Sequence, residues 1–326
     1  MFTPTEILTE RRFNSKAAMQ IVFEWEDVLS SALNIPLADA FNPTSLHQRV
    51  ICRGMPGIAR KWTTRNSAFM FEMIDLRGMW HNKKNIVPCI VDYFTRDTKL
   101  LGKFFKLYDA APIVLISSLE AYSFLLENKC PINICHWPLS LPDKWLQKRT
   151  SPEIKKYDLI LAGRTNPVLK EFATRYCNDN PHTKILIREI KGNNWICHSP
   201  SDGKSYPCGT REEYMSCLSL AKVCLYATPG IDDGKCGANG FNQVTPRLLE
   251  FLASGCTVIA RYTNNPDTEF YNLNQVTLPA ANYSQFCQSM STALSAPSNS
   301  NKNYEYLLRH TTSARAESLR QILNRA

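Results

Sequence analysis

The stretch from Gly240 to Ala260, GFNQVTPRLLEFLASGCTVIA, decides how the rest of the chain is read. Thr245 followed by Pro246 marks a helix start, because a Thr hydroxyl can cap a free backbone N–H and Pro at the first helical position loses no needed donor. Gly255 is the matching stop. Between them Leu248, Leu249, Leu252 and Ala253 share one helical face, which predicts a core side. Arg247, Glu250 and Ser254 line another, which predicts a face open to a ligand. Cys256 to Ala260 reads as a short buried strand, and Lys222 to Ala227 (KVCLYA) as the strand before it. Strand, long loop, helix and strand make a βαβ unit. Its helix begins above the carboxyl ends of the strands, where unpaired N–H groups favour a phosphate.

The whole chain has 326 residues, 44% hydrophobic and 21% charged, with a formal net charge of +9. That composition fits two globular domains of about 150 residues each. Twelve cysteines sit mostly inside apolar runs such as VPCIV, KVCLY and SGCTV, without C-x-x-C pairs, and read as reduced, buried thiols of a cytosolic protein. Cys197, His198 and Cys208 come nearest to a metal cluster, but their spacing fits no standard zinc pattern, and no metal site is predicted. The opening MFTPTEILTERRF lacks the apolar core of a signal peptide, and no run reaches the ~18 apolar residues of a membrane span. A cytoplasmic protein is expected, with its basic N-terminal helix suited to resting on the inner face of the plasma membrane. The positive charge suits an anionic ligand. No helix-turn-helix, zinc finger or RNA-binding signature accompanies it, so no nucleic-acid partner is expected.

Taken in order, residues 15–35 predict an amphipathic helix, Arg49 to Arg53 a strand ending at the Gly54 to Gly57 turn, and Ala68 to Leu76 a strand or a helix. NIVPCIVDYF is a buried strand ending on Asp92, APIVLISS another, and LEAYSFLLENK a helix introduced by Ser117 with Glu120 as its capping box. INICHWPLSLPD carries His136 on a strand that leaves through Pro138 and Pro142. The polar run KWLQKRTSPEIKK reads as a linker, placing one domain at 1–150. YDLILA then restarts the pattern as a strand, with Gly163 and Arg164 in a turn and Asn166 with Pro167 opening a helix. KILIREI is a strand and REEYMSCLSLA a helix, closing a second domain at 151–300. Residues 301–326 predict a terminal helix packing back on the domain junction. The fold class is α/β: two Rossmann-like domains facing a central cleft.

Several nucleotide sites are excluded. GIDDGKCGANG places Cys236 where a P-loop needs Ser or Thr for magnesium. No G-x-G-x-x-G follows a strand, so neither NAD nor FAD is supported, and no D-x-D triplet offers a divalent metal site. No cofactor is expected.

The run TPRLLEFLASGCTVIARYTNNPD resembles the donor-binding segment of group 1 glycosyltransferases of the GT-B fold, particularly those of bacterial capsule and O-antigen clusters. The resemblance extends to LYATPG, to LILAGR and, more weakly, to ISSLEAYSFLL and HWPLSLPD. It implies a hexosyltransferase-type, metal-independent enzyme that moves a sugar from a nucleoside-diphosphate sugar, with UDP or GDP as the nucleotide, to a glycan or lipid-linked glycan in surface polysaccharide synthesis. It assigns donor binding to Gly163, Arg164, Thr228, Gly230, Asn242, Gln243, Val244, Thr245, Pro246, Arg247 and Glu250. Glu250 would hydrogen-bond the ribose, and Arg164 and Arg247 would compensate the diphosphate. Retaining members carry two glutamates; Glu250 matches the second, and Asn242 stands at the first. An inverting enzyme would need a general base, for which Asp92 is the first candidate and His136 the second. Two alternatives stand beside this reading: a catalytically silent binding or assembly protein on the same scaffold, and a basic nucleic-acid binder.

Overall fold

Short β-branched runs separated by helical periods give strands buried on both faces, and such strands pair in parallel with helices covering them. The computed structural model describes residues 2–40, 66–76, 83–148, 155–163, 165–192, 194–235, 237–296 and 300–325. It divides into one unit formed by Met1–Pro142 with Thr312–Ala326, and a second formed by Asp143–Thr311. The division falls at Pro142, ahead of the linker expected near residue 150. The strand and turn expected at 49–57 lie outside the described residues.

Among the described residues of the first unit six strands pair in the order β2-β1-β3-β4-β5-β6, every neighbour parallel. They are β1 (Glu6–Thr9), β2 (Leu37–Asp39), β3 (Ala68–Ile74), β4 (Ile86–Asp92), β5 (Val114–Ile116) and β6 (Ile134–His136). Helix α1 (Gln20–Leu33) follows β1, and α2 (Thr98–Tyr108) and α3 (Leu119–Glu127) follow β4 and β5. Asp97 starts α2, its carboxylate accepting from the N–H groups of Lys99 and Leu100. The start of α3 lies one residue beyond expectation. Ser118 is the cap, its hydroxyl accepting from Ala121 N–H at 3.1 Å, whereas Ser117 donates to the Val91 carbonyl at 2.6 Å and Glu120 pairs with Arg96 at 3.2 Å.

Trp25, Phe69, Phe71 and Trp137 form the centre of this core, with ring centroids 5.1–6.0 Å apart. The polar ends of both indoles are satisfied: Trp25 donates to the Ser140 carbonyl at 2.9 Å and Trp137 to the Arg315 carbonyl at 3.1 Å. The chain end forms two helices where one was expected. The last, α11 (Thr312–Arg325), adds Ala316, Leu319 and Leu323 to this core. The one before it, α10 (Ser300–Leu308), belongs to the second unit.

The second unit has seven strands among the described residues, in the order β10-β9-β8-β7-β11-β12-β13. The parallel part comprises β7 (Tyr157–Leu161), β8 (Ile185–Lys191), β11 (Ala221–Ala227), β12 (Thr257–Arg261) and β13 (Thr277–Pro279). Antiparallel β9 (Asn194–His198) and β10 (Ser205–Pro207) extend one edge as a hairpin. Helices α4 (Pro167–Asp179), α5 (Arg211–Ser219) and α6 (Pro246–Ala253) connect the strands. Beyond β12 come α7 (Pro266–Phe270), α8 (Leu273–Val276) and α9 (Tyr283–Ser295), the last packing Phe286, Met290 and Ala293 into the core. No described helix is long and apolar enough to cross a membrane.

Phe69 is fully buried against the Phe71 and Trp137 rings, so its truncation removes contacts and leaves a void. Phe69→Ala is expected to lower unfolding free energy by about 3–5 kcal/mol, read as a shifted urea midpoint at unchanged slope.

Candidate functional site

Strand order reverses where the chain, having laid β8 on one side of β7, returns to lay β11 on the other. In open α/β sheets ligands bind outside the carboxyl ends of the strands at such a switch point. The loops leaving β7 and β11 flank it, and with them come most of the predicted donor-binding residues.

After β7 the backbone turns at Gly163 with φ of +97°, a conformation side chains disfavour. Arg164 lies outside the described residues. Asn166 caps α4 as expected, its Oδ1 accepting from the N–H groups of Val168 and Leu169 at 3.0 and 3.1 Å. Its Nδ2 crosses to the β11 loop, donating to Asp232 Oδ2 at 3.0 Å and to the Ile231 carbonyl at 3.2 Å. Asp232 is held in turn by Arg261, at the end of β12, with Nε and Nη2 bonds of 2.6 and 2.9 Å. The Arg261 hydrogen bonds hold the Asp232 carboxyl below the usual carboxylate range. One carboxylate therefore joins the ends of β7 and β12 to the loop between them.

The loop from Thr228 to Thr245 is short of regular structure and rich in constrained backbone. Asp232, Asp233 and Asn239 have φ of 51°, 52° and 49°, with Gly237 and Gly240 also positive. Gly230 packs directly on the loop's far end: a Cβ there would lie 2.5 Å from the Phe241 carbonyl oxygen. Asn242 pins the same closure. Its Oδ1 accepts from the Thr228 hydroxyl at 2.7 Å, its Nδ2 donates to the Gly240 carbonyl at 3.0 Å, and its own carbonyl accepts from Asn265 Nδ2 at 3.0 Å. A glutamate could not donate to the Gly240 carbonyl, which gives the amide at 242 a physical reason. Thr228, Gln243 and Val244 are buried beside it.

Helix α6 opens at Thr245 and Pro246 as expected, but the Thr245 side chain makes no capping hydrogen bond. The Thr245 N–H instead donates to the Tyr226 hydroxyl at 3.0 Å. The expected open polar face is corrected more substantially. Arg247 is half-buried, but Glu250 and Ser254 are only 5% and 2% exposed. Glu250 Oε1 meets Arg211 Nη1 at 2.7 Å, and the paired side chains are 7% and 12% exposed. Arg211 is the first residue of α5, inside the Thr210–Glu213 capping box. The nearby REEY run predicted a helix but held no signal that its first arginine would turn inward to Glu250.

Arg188, on β8, was also missed. Its guanidinium lies between the Trp195 and Tyr214 rings, 4.3 and 4.8 Å from their centroids. It also borders the Gly163 turn, where a Cβ would come within 3.4 Å of Nη1. A cation in the middle of one strand is a signal for a glycine turn after another only once β8 is known to lie beside β7.

The two acid–base candidates lie in the first unit. Asp92 closes β4, opposite Ile74 of β3, and is half-buried. His136 closes β6, beyond β5, and is level with Ile90, so two strand spacings and two residues along the strand separate its Cα from that of Asp92 by about 12 Å. Burial pushes the His136 imidazole down to about 4, so it is neutral at pH 7. Neither stands at this sheet's own reversal, which falls between β1 and β3.

No protein-family model matches the chain, and no curated protein matches it in sequence. Solved structures do resemble it. A glycosyltransferase from Rickettsia africae ESF-5 is 11% identical, with 99% of each chain covered and a TM-score of 0.58. The E. coli trehalose-6-phosphate structure bound with UDP-2-fluoro glucose is 8% identical, again with 99% of each covered and a TM-score of 0.59. AviGT4, a glycosyltransferase involved in avilamycin A biosynthesis, is 12% identical with 99% of each covered and a TM-score of 0.56. The chain spans 57% of a GtfA/B complex chain and 59% of the pneumococcal O-GlcNAc transferase GtfA. Likeness at these identities is one of fold: the chain has the GT-B fold of two Rossmann-like domains.

Two outcomes follow from the site's electrostatics. Glu250→Leu takes the carboxylate away from the half-buried Arg211 guanidinium and is expected to cost about 2 kcal/mol in stability, while the double variant Arg211→Met/Glu250→Leu recovers most of it, with Arg211→Met completing the double-mutant cycle. For His136 the folded imidazole stays neutral while the unfolded one takes a proton near 6.5, so its contribution is present above pH 6.5 and lost as pH falls toward 4. The stability of the native protein measured against His136→Gln is expected to decline through that window and to be flat above it.

Proposed function

We propose that the chain is a glycosyltransferase that binds a nucleoside-diphosphate sugar at the switch point of its second unit. The observation that carries this reading is the convergence there of the Gly163 turn, the strained loop from Thr228 to Thr245 and the start of α6 with Arg247 in its first turn. A diphosphate placed over the start of α6 meets the positive end of the helix dipole. Arg247 and Arg164 balance its charge, and Glu250, its carboxylate fixed by Arg211, accepts from the ribose hydroxyls. Thr228, Gly230, Asn242, Gln243, Val244 and Pro246 shape the loop against which the donor rests.

Departure of the diphosphate develops negative charge, and fixed donors aimed at that charge lower the barrier without a metal ion. Asp92 is the proposed base that takes the acceptor hydroxyl proton, with His136 second. The proposed acceptor is a glycan or lipid-linked glycan of a bacterial cell-surface polysaccharide, approached in the cytoplasm at the inner membrane surface. The net charge of +9 supports an anionic donor and an anionic membrane surface.

Titration calorimetry with UDP, GDP and ADP tests the donor site. At least one should bind the folded chain, and Arg247→Ala should weaken it about tenfold, or ~1.4 kcal/mol. Failure of all three to bind would dismiss the reading. Asp92→Asn should leave nucleotide affinity unchanged and lower kcat by roughly a hundredfold or more. Nucleotide bound without transfer or donor hydrolysis, across a broad donor panel, would assign the chain to binding or assembly instead.

A further inference from the structure

Three cysteines, each about ten residues from the next, meet on the hairpin side of the second unit. The thiols of Cys197, on β9, Cys208, just after β10, and Cys217, on α5, all lie within 4.8 Å of one another. All three are buried, at 0%, 0% and 2% exposure. This is not the grouping that the sequence suggested. Alternation along β9 sends His198 to the opposite face, where its Nδ1 is 3.2 Å from Glu189 Oε1, and Cys217 takes its place.

Three thiolates bonded to one ion at about 2.3 Å stand roughly 3.8 Å apart in a tetrahedron and roughly 4.0 Å apart in a trigonal plane. The observed spacings, all within 4.8 Å, need only small side-chain adjustments to reach either. The charge of such a centre is also anticipated. The Arg188 guanidinium donates to the Cys208 carbonyl at 3.3 Å, and two aromatic rings hold it in place. A fixed cation on the Cys208 side of the cluster offsets part of the negative charge that thiolate ligation creates.

We propose that Cys197, Cys208 and Cys217 form a site for one thiophilic metal ion, with Zn(II) and Co(II) as its probes. Binding would replace the thiol protons, which pass to solvent, by metal–sulfur bonds, with no change of oxidation state. Sulfur ligands favour soft ions over magnesium or calcium. The ion would clamp three elements that are otherwise joined by packing and a few hydrogen bonds, among them Cys208 N–H to the Trp195 carbonyl at 2.9 Å and the Cys217 thiol to the Pro207 carbonyl at 3.4 Å: the β9–β10 hairpin, the turn into α5 and α5 itself. That turn leads through Thr210 to Arg211, the partner of Glu250, so the clamp would steady the ion pair without touching a donor.

The test is metal content and Co(II) spectroscopy on the full chain, purified under reducing conditions without chelator. One Zn(II) should be retained per chain, and the metal-free protein should take one Co(II) with a sulfur-to-cobalt charge-transfer band. Cys208→Ser should lose both signals, and Cys224→Ser, which alters a buried thiol outside the cluster, should keep them. Circular dichroism checks that each variant is folded. If Cys208→Ser fails to fold, the wild-type stoichiometry decides alone. A folded, reduced wild type that takes neither ion would overturn the proposal. So would a Cys208→Ser protein that binds as the wild type does, or an intact mass two hydrogens short with a disulfide mapped among the three cysteines.

Discussion

Glu250 is buried, and its carboxylate is tolerable there because it meets the half-buried Arg211 guanidinium. Their 2.7 Å contact is therefore a constraint on the fold of the second unit, because it forces the first turn of α5 against the middle of α6. Helix α6 cannot rotate or slide without separating the pair. Its start is thereby fixed over the carboxyl edge of the sheet, where Thr245, Pro246 and Arg247 face the loop from β11. A carboxylate held in one geometry by a guanidinium is also better prepared to receive a ligand's hydroxyl than one free to turn in solvent.

The loop from Thr228 to Thr245 is held by the same logic from the other side. Gly230 admits the Phe241 carbonyl at a distance no side chain would allow, Asn242 closes the loop with one accepted and one donated bond, and Asp232 ties it to Arg261 and Asn166. Several left-handed residues sit within this short span. Such backbone persists only where its surroundings over-determine it, and that commonly marks a binding loop. Asn242 thus has a structural task of its own, and the glutamate that retaining relatives of the resembled family carry there would meet a carbonyl where Asn offers a donor.

The parallel strands were legible because each is a short apolar run bounded by turn or polar residues: IVPCIVD, PIVLIS, YDLILA and KVCLYA all fall where the pattern puts them. So were the helices announced by caps, at Asn166 and before Pro246. What escaped was short or ambiguous. Strands β1 and β2 are four and three residues long, too brief for periodicity to register. The antiparallel hairpin of β9 and β10 lacks the apolar alternation of a buried strand, and α2 begins in a polar run whose only cue is Asp97. At the site, residue types on one element were readable while partners from another were not. Glu250 looked like a surface residue because Arg211 is remote in sequence, and the cysteine cluster was hidden because Cys217 belongs to a helix. Burial of a charge depends on tertiary neighbours, and a periodicity argument sees only one helix at a time.

The central claim is that the loop after β11 and the start of α6 receive the nucleotide. Amide hydrogen exchange with and without a saturating nucleoside diphosphate measures this directly. Exchange is predicted to slow in the segment from Thr228 to Leu248 and in the turn after β7, with the six-stranded sheet of the first unit unchanged. Nucleotide binding that leaves those segments unprotected, and slows exchange elsewhere instead, would contradict the account.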